Sequence, residues 1–153
     1  MMTNPPDKNT LDRFLEAQRT KYTEAFAQLR SGKKSTHWMW FIFPQLRGLG
    51  TSGDSHFYGI QDLTEASAYL EHPTLGARLI ECTNAVLLLR DSTLPSIFGG
   101  GDSRKFISCM TLFALPPTTS NVFRAALQQF NHGVSDPLTL QLLKGRRNLG
   151  HDT

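Results

Sequence analysis

From Leu11 onward the apolar residues fall at Leu11, Phe14, Leu15, Tyr22, Phe26 and Leu29. Spacings of three, four and seven put them on one face of a helix. Thr10 can accept from the first free N–H groups, and Gly32 supplies a left-handed stop. Gln18 falls in the same stripe, so its amide needs partners, at the core edge or in a polar site. Residues 38–43 of the stretch HWMWFIFPQ are six apolar residues in a row, a pattern that fits a buried strand or a buried helix equally. The helical periodicity elsewhere favours a short helix, capped at Ser35 and ended by Pro44. GLGTSGDS reads as loop. Asp62 and Glu65 form a capping-box pattern ahead of an inner face at Leu63, Ala66 and Leu70. After His72–Pro73, with His72 a cap or surface residue, the next stripe is Leu75, Leu79, Cys82, Val86 and Leu89. TLPSIFG reads as a turn. Phe106, Cys109, Met110 and Phe113 then share a face, as do Val122, Ala126 and Phe130, and a last short helix runs from Pro137 to a stop at Gly145. No hairpin signal or sustained two-residue alternation occurs. The pattern predicts an all-α fold, a single compact domain of about six or seven helices over residues 10–145. A loose polar arm covers residues 1–9 and a solvated basic tail residues 146–153.

Length and composition narrow the function classes. One domain is the natural expectation for 153 residues, and 39% hydrophobic with 19% charged residues is a globular balance. A net charge of +3 and a pI near 9.1 are too mildly basic to argue for nucleic acid. No apolar run approaches the roughly 20 residues that span a bilayer, so no membrane association is expected. No signal peptide is visible, and Cys82 and Cys109 are expected as free thiols in a cytoplasmic protein.

Candidate chemistry centres on two stretches. In HWMWFIFPQLR, Trp38 and Trp40 lie about 200° apart on a helix and cannot share a face. One is expected in the core, the other along a cleft edged by His37, Gln45 and Arg47. Arg47 offers a planar fork suited to phosphate or carboxylate. In GGGDSRK, glycines lead into a helix start whose bare N–H groups attract anions, with Asp102 as cap and Lys105 one turn on. The alternative reading of both is structural, an aromatic core and an ordinary capped turn. The five histidines show no H-x-x-x-H or H-E-x-x-H spacing, so no metal is expected. Arg78 and Glu81 read as a surface ion pair, and both cysteines as core thiols. No G-x-S-x-G elbow occurs, and no cofactor is implied.

The string SGKKSTHWMWFIFPQLRGLG closely resembles the signature of a family of small bacterial proteins, domain-of-unknown-function family 1810. The resemblance continues through YGI, EASAYLEHPTLGARLIECT, SCMTLF and DPLTLQLL, from about Leu11 to Leu143. It implies a mainly helical single domain and brings no established activity. Members are sometimes labelled calpastatin-like, but an inhibitor of that kind is disordered and polar whereas this composition is globular. Family members usually have a shorter, less glycine-rich turn where this chain has GGGDSRK.

The residues thus point to a soluble protein binding a small anionic or nucleotide-like ligand in an aromatic and cationic cleft, at His37, Trp38, Trp40, Gln45, Arg47, Asp102 and Lys105, with enzymatic activity left open. The alternative is a non-catalytic module whose exposed aromatics dock on a protein partner.

Overall fold

The first apolar stripe folds as α1 (Asp12–Ser31), stopped by Gly32 at φ 92°. Leu11, not Thr10, occupies its N-cap position, without a side-chain cap. The structure, a computed structural model, describes residues 9–151, and side chains up to Arg146; of the expected arm over residues 1–9, all but Asn9 lies outside the described residues. After α1 come α2 (Met39–Ile42), α3 (Gly53–Tyr58), α4 (Leu63–Glu71), α5 (Leu75–Leu87), α6 (Leu94–Phe98), α7 (Gly100–Phe113), α8 (Val122–Asn131) and α9 (Pro137–His151). Among the described residues the fold is all-α, with one isolated parallel bridge, Leu46 to Ile60.

Among the described residues the helices number nine, not six or seven. The surplus lies in pieces too short to show a helical period. α3 sits partly in the stretch read as loop and α6 in the one read as a turn. Each is closed by its cap: Ser55 N–H donates to Ser52 Oγ at 3.1 Å, and Thr93 and Ser96 form a reciprocal capping box. At α4 only half of the expected box forms. Glu65 N–H donates to Asp62 Oδ1 at 2.9 Å, while the Glu65 carboxylate turns to Arg13. His72 caps α5, its Nδ1 accepting from the N–H groups of Thr74 and Leu75 at 3.1 and 3.2 Å. α9 passes through Gly145 to His151. A glycine inside a helix costs only about 1 kcal/mol, and Arg146 ties the helix down by donating to the carbonyls of Gln61 (2.7 Å) and Arg47.

The centre of the fold is α7. Phe106 to Phe113 are eight consecutive buried residues, where the sequence marked one face, because α4, α6, α8 and α9 all pack on this helix. A helix covered all round must satisfy its polar side chains internally. Thr111 donates to Ile107 O at 2.9 Å and Ser108 donates to Asp136 Oδ2 at 2.9 Å. Phe43 packs edge-on against Phe106 (5.1 Å) and Phe98 (5.8 Å), with Trp38 tilted beside it at 6.4 Å. Most of the Trp-rich segment is therefore core, with six of the nine residues 37–45 buried.

The polar interior extends to α1. Gln18, 1% exposed, donates to Phe41 O (2.8 Å) and Tyr69 Oη (3.1 Å) and accepts from Arg78 at 3.3 Å. The predicted Arg78–Glu81 ion pair does not form. Arg78 lies over the Tyr22 ring at 4.4 Å, and the Tyr22 hydroxyl donates to Glu81 instead. Cys82 and Cys109 are free and buried. Burial pushes the Cys82 thiol up to about 12 and raises Cys109 well above its ordinary value, so both behave as apolar packing groups.

Candidate functional site

Pro44 stops α2, and Gln45–Arg47 runs alongside Ile60, with Ile60 N–H donating to Gln45 O and Arg47 N–H to Ile60 O, both at 2.8 Å. This short ladder fixes the position of Gln45. A turn follows, with Gly48 at φ 106°. Gly50 then lies on the edge of Trp40 so closely that a Cβ there would come within 2.8 Å of the indole Cη2. The loop and the indole thus form one wall of a cavity of about 490 Å³, whose other walls are Lys105 and Arg104 on α7 and Asp136 at the head of α9.

Trp38 and Trp40 differ in burial. Trp38 is 1% exposed and donates from Nε1 to Gln28 Oε1 at 2.8 Å. Trp40 is half-buried and lines both this cavity and a smaller neighbour of about 180 Å³ that contains His37, Asp102 and Lys105. Lys105 Nζ stands 4.9 Å above the Trp40 ring and Lys34 Nζ stands 5.2 Å above Trp38. Both lysines pair with Asp102, at 2.9 and 2.8 Å. Burial alone would raise the Asp102 carboxyl, but the hydrogen bonds and charges of Lys34 and Lys105 outweigh it and hold it below its ordinary value. The bridge therefore contributes stability above the ordinary carboxylate range and loses it as pH falls through the depressed pKa. Asp102 is a bridging anion rather than the expected cap. The N-cap of α7 is Gly99, at φ 83° and with no side chain to offer, and the glycines Gly100 and Gly101 are already helical.

His37, Trp40, Gln45, Asp102 and Lys105 thus surround two adjoining cavities that share Trp40 and Lys105. Arg47 lines neither, which corrects the expectation of one convergent site. The Arg47 side chain lies instead at the end of α3, where Nε donates to His56 O at 2.9 Å and Nη1 to Asn9 Oδ1 at 3.3 Å. Arg104, Ser108 and Asp136, which also line the larger cavity, were not marked in the sequence. Asp136–Pro137 reads there as an ordinary helix start, and nothing in the pattern separates a cap from a cavity wall.

One atom stands apart. Gln45 is 3% exposed, and its Nε2 is the one buried side-chain nitrogen or oxygen without a hydrogen-bond partner among the described residues. Such a donor costs free energy unless something accepts from it. The cavity offers that donor beside an ammonium, a guanidinium and an indole, a set suited to an anionic group carried on a planar or apolar body. Among the described residues no group of His, Cys, Asp and Glu side chains could hold a metal ion, and no helix is long and apolar enough to cross a membrane.

Fold and site define an all-helical protein with an aromatic and cationic cleft at the head of its central helix. The chain belongs to the family described as protein of unknown function (DUF1810), whose model matches residues 8–143. It is similar to the crystal structure of the conserved hypothetical protein Rv1873 from Mycobacterium tuberculosis, at 45% sequence identity and a TM-score of 0.87, covering 90% of this chain and 99% of that one. No curated protein matches it.

Proposed function

We propose that the cleft between Trp40, Gln45 and Lys105 binds a small anionic, nucleotide-like compound. The observation that carries this reading is the buried, unpartnered Gln45 Nε2 in a cavity lined by cations and an indole. The volume falls in the roughly 300–1,000 Å³ range of small-molecule sites. A docking surface built on exposed aromatics is less well supported: among the described residues the exposed large hydrophobics are Leu88, Leu115, Val134, Leu138 and Leu140, all aliphatic.

The reading separates stability from binding at Gln45. Gln45→Met keeps the length of the side chain and removes the orphan donor, so it is expected to leave stability unchanged or raise it by about 1 kcal/mol. The same variant should abolish the thermal shift given by nucleotides, ADP-ribose derivatives or phosphorylated metabolites in the wild type, a shift that follows from mass action. Urea unfolding and a thermal-shift screen measure the two effects. A loss of more than about 1 kcal/mol would make Gln45 a structural residue.

A further inference from the structure

The cleft contains an acceptor as well as donors. Asp136 is 5% exposed, yet it lines both the 490 Å³ cavity and a further one of about 650 Å³ bounded by α6, α7 and α8. Its two carboxylate oxygens are used unequally. Oδ2 accepts from Ser108 Oγ at 2.9 Å, Thr139 N–H at 3.2 Å and Thr139 Oγ1 at 2.6 Å. Oδ1 takes no hydrogen bond from the described residues and, unlike Gln45 Nε2, is not enclosed, so it is open to whatever enters. Capping α9 needs only one oxygen, which serine or asparagine supplies equally well. The second oxygen adds a charged acceptor that can be satisfied only by a donor. An anion with no hydroxyl or N–H gives Asp136 nothing and is repelled by it. Gln45 Nε2, by contrast, needs an acceptor, and the exposed Arg104, and Lys105, which shares Asp102 with Lys34, offer positive charge to an anion. The ligand must therefore carry all three: an anion, an acceptor and a donor.

Resting on the cleft reading above, we propose that the ligand is a sugar phosphate, free or as the ribose phosphate of a nucleotide. The phosphate lies toward Lys105 and Arg104, a sugar oxygen accepts from Gln45 Nε2, and a sugar hydroxyl donates to Asp136 Oδ1. Acidic side chains read ribose hydroxyls in this way at dinucleotide sites, and a hydrogen bond to a charged group discriminates by about tenfold or more.

The test compares propyl phosphate, ribose 5-phosphate and adenosine 5′-monophosphate by calorimetric titration of the wild-type protein and of Asp136→Asn. Asparagine preserves the α9 cap and puts a donor where Oδ1 stood. Ribose 5-phosphate should bind the wild type at least tenfold more tightly than propyl phosphate, and this preference should fall below about threefold in Asp136→Asn, with propyl phosphate affinity unchanged or improved. Tighter binding of the nucleotide than of ribose 5-phosphate supports the same assignment with the base on Trp40, and equal binding supports it with the free sugar phosphate. Equal affinity of the wild type for propyl phosphate and ribose 5-phosphate overturns the hydroxyl assignment and leaves the anion cleft standing. Absence of binding by all three phosphates overturns both. The wild-type comparison decides even if the variant fails to fold.

Discussion

Replacing Arg13 with methionine is expected to destabilise the protein by about 3–5 kcal/mol, the loss typical of breaking a buried ion pair from one side. In a chain of this length that lowers the melting temperature by roughly 6–20 °C. Arg13 lies in the first turn of α1 and is 1% exposed. Its guanidinium grips Glu65 through two bonds, at 3.0 and 2.9 Å, while Nε donates to Phe57 O and Nη2 to Gly59 O, both at 2.8 Å. A methionine fills much of the volume but strands a nearly buried carboxylate and two backbone carbonyls together. The Glu65 carboxylate keeps only the Gln61 N–H, at 2.9 Å. The double variant Arg13→Met, Glu65→Leu should lose less than the sum of the single variants, since neither charge is then left unpaired. Urea denaturation of the four proteins measures this. A loss below about 1 kcal/mol for Arg13→Met would place the pair with solvent-exposed ones.

The two tryptophans should respond in opposite ways. Trp38→Ala is expected to cost about 3–5 kcal/mol, since it opens a cavity beside Phe43 and strips Gln28 of an indole donor. Trp40→Ala, at a half-buried position against a loop, should cost no more than about 1–2 kcal/mol, while any ligand found for the cleft should bind much more weakly. Equilibrium unfolding of both variants, with binding assayed on the Trp40 variant, checks the pair. Equal stability losses would mean that the indoles do the same job, against their different exposure.

The angular argument that set Trp38 and Trp40 on different faces agrees with their burial, although Trp38 is the N-cap of α2, at φ −150°, and stands outside the helical rotation itself. The class of the fold was legible because long stripes such as Leu11–Leu29 leave no other period. α3 and α6 were not, because five or six residues cannot display a repeat and their caps look like loop chemistry. Arg47 was misplaced because the groups that hold its guanidinium, His56 O and Asn9 Oδ1, come from other segments, and one-dimensional proximity to Gln45 carries no information about them. Arg13 and Asp136 were missed for a more general reason. A charged residue at a helix terminus is on average solvated, and its burial is decided by carbonyls and hydroxyls arriving from segments tens of residues away: Phe57 and Gly59 for Arg13, Ser108 for Asp136.

The complete burial of Phe106–Phe113 has a consequence in time as well as space. Amides in such a segment exchange their hydrogens only when the whole structure opens, whereas those of the loop at residues 48–52 exchange through local fluctuations. The cleft therefore has one slow wall and one fast wall. Lys105 is carried on the turn of α7 that adjoins the slow segment, and Trp40, over whose ring its Nζ stands at 4.9 Å, lies beside the fast loop. A ligand bound in the proposed cleft is expected to order the loop and leave the helix unchanged, so that occupancy is recorded as slowed exchange on one side of the site only.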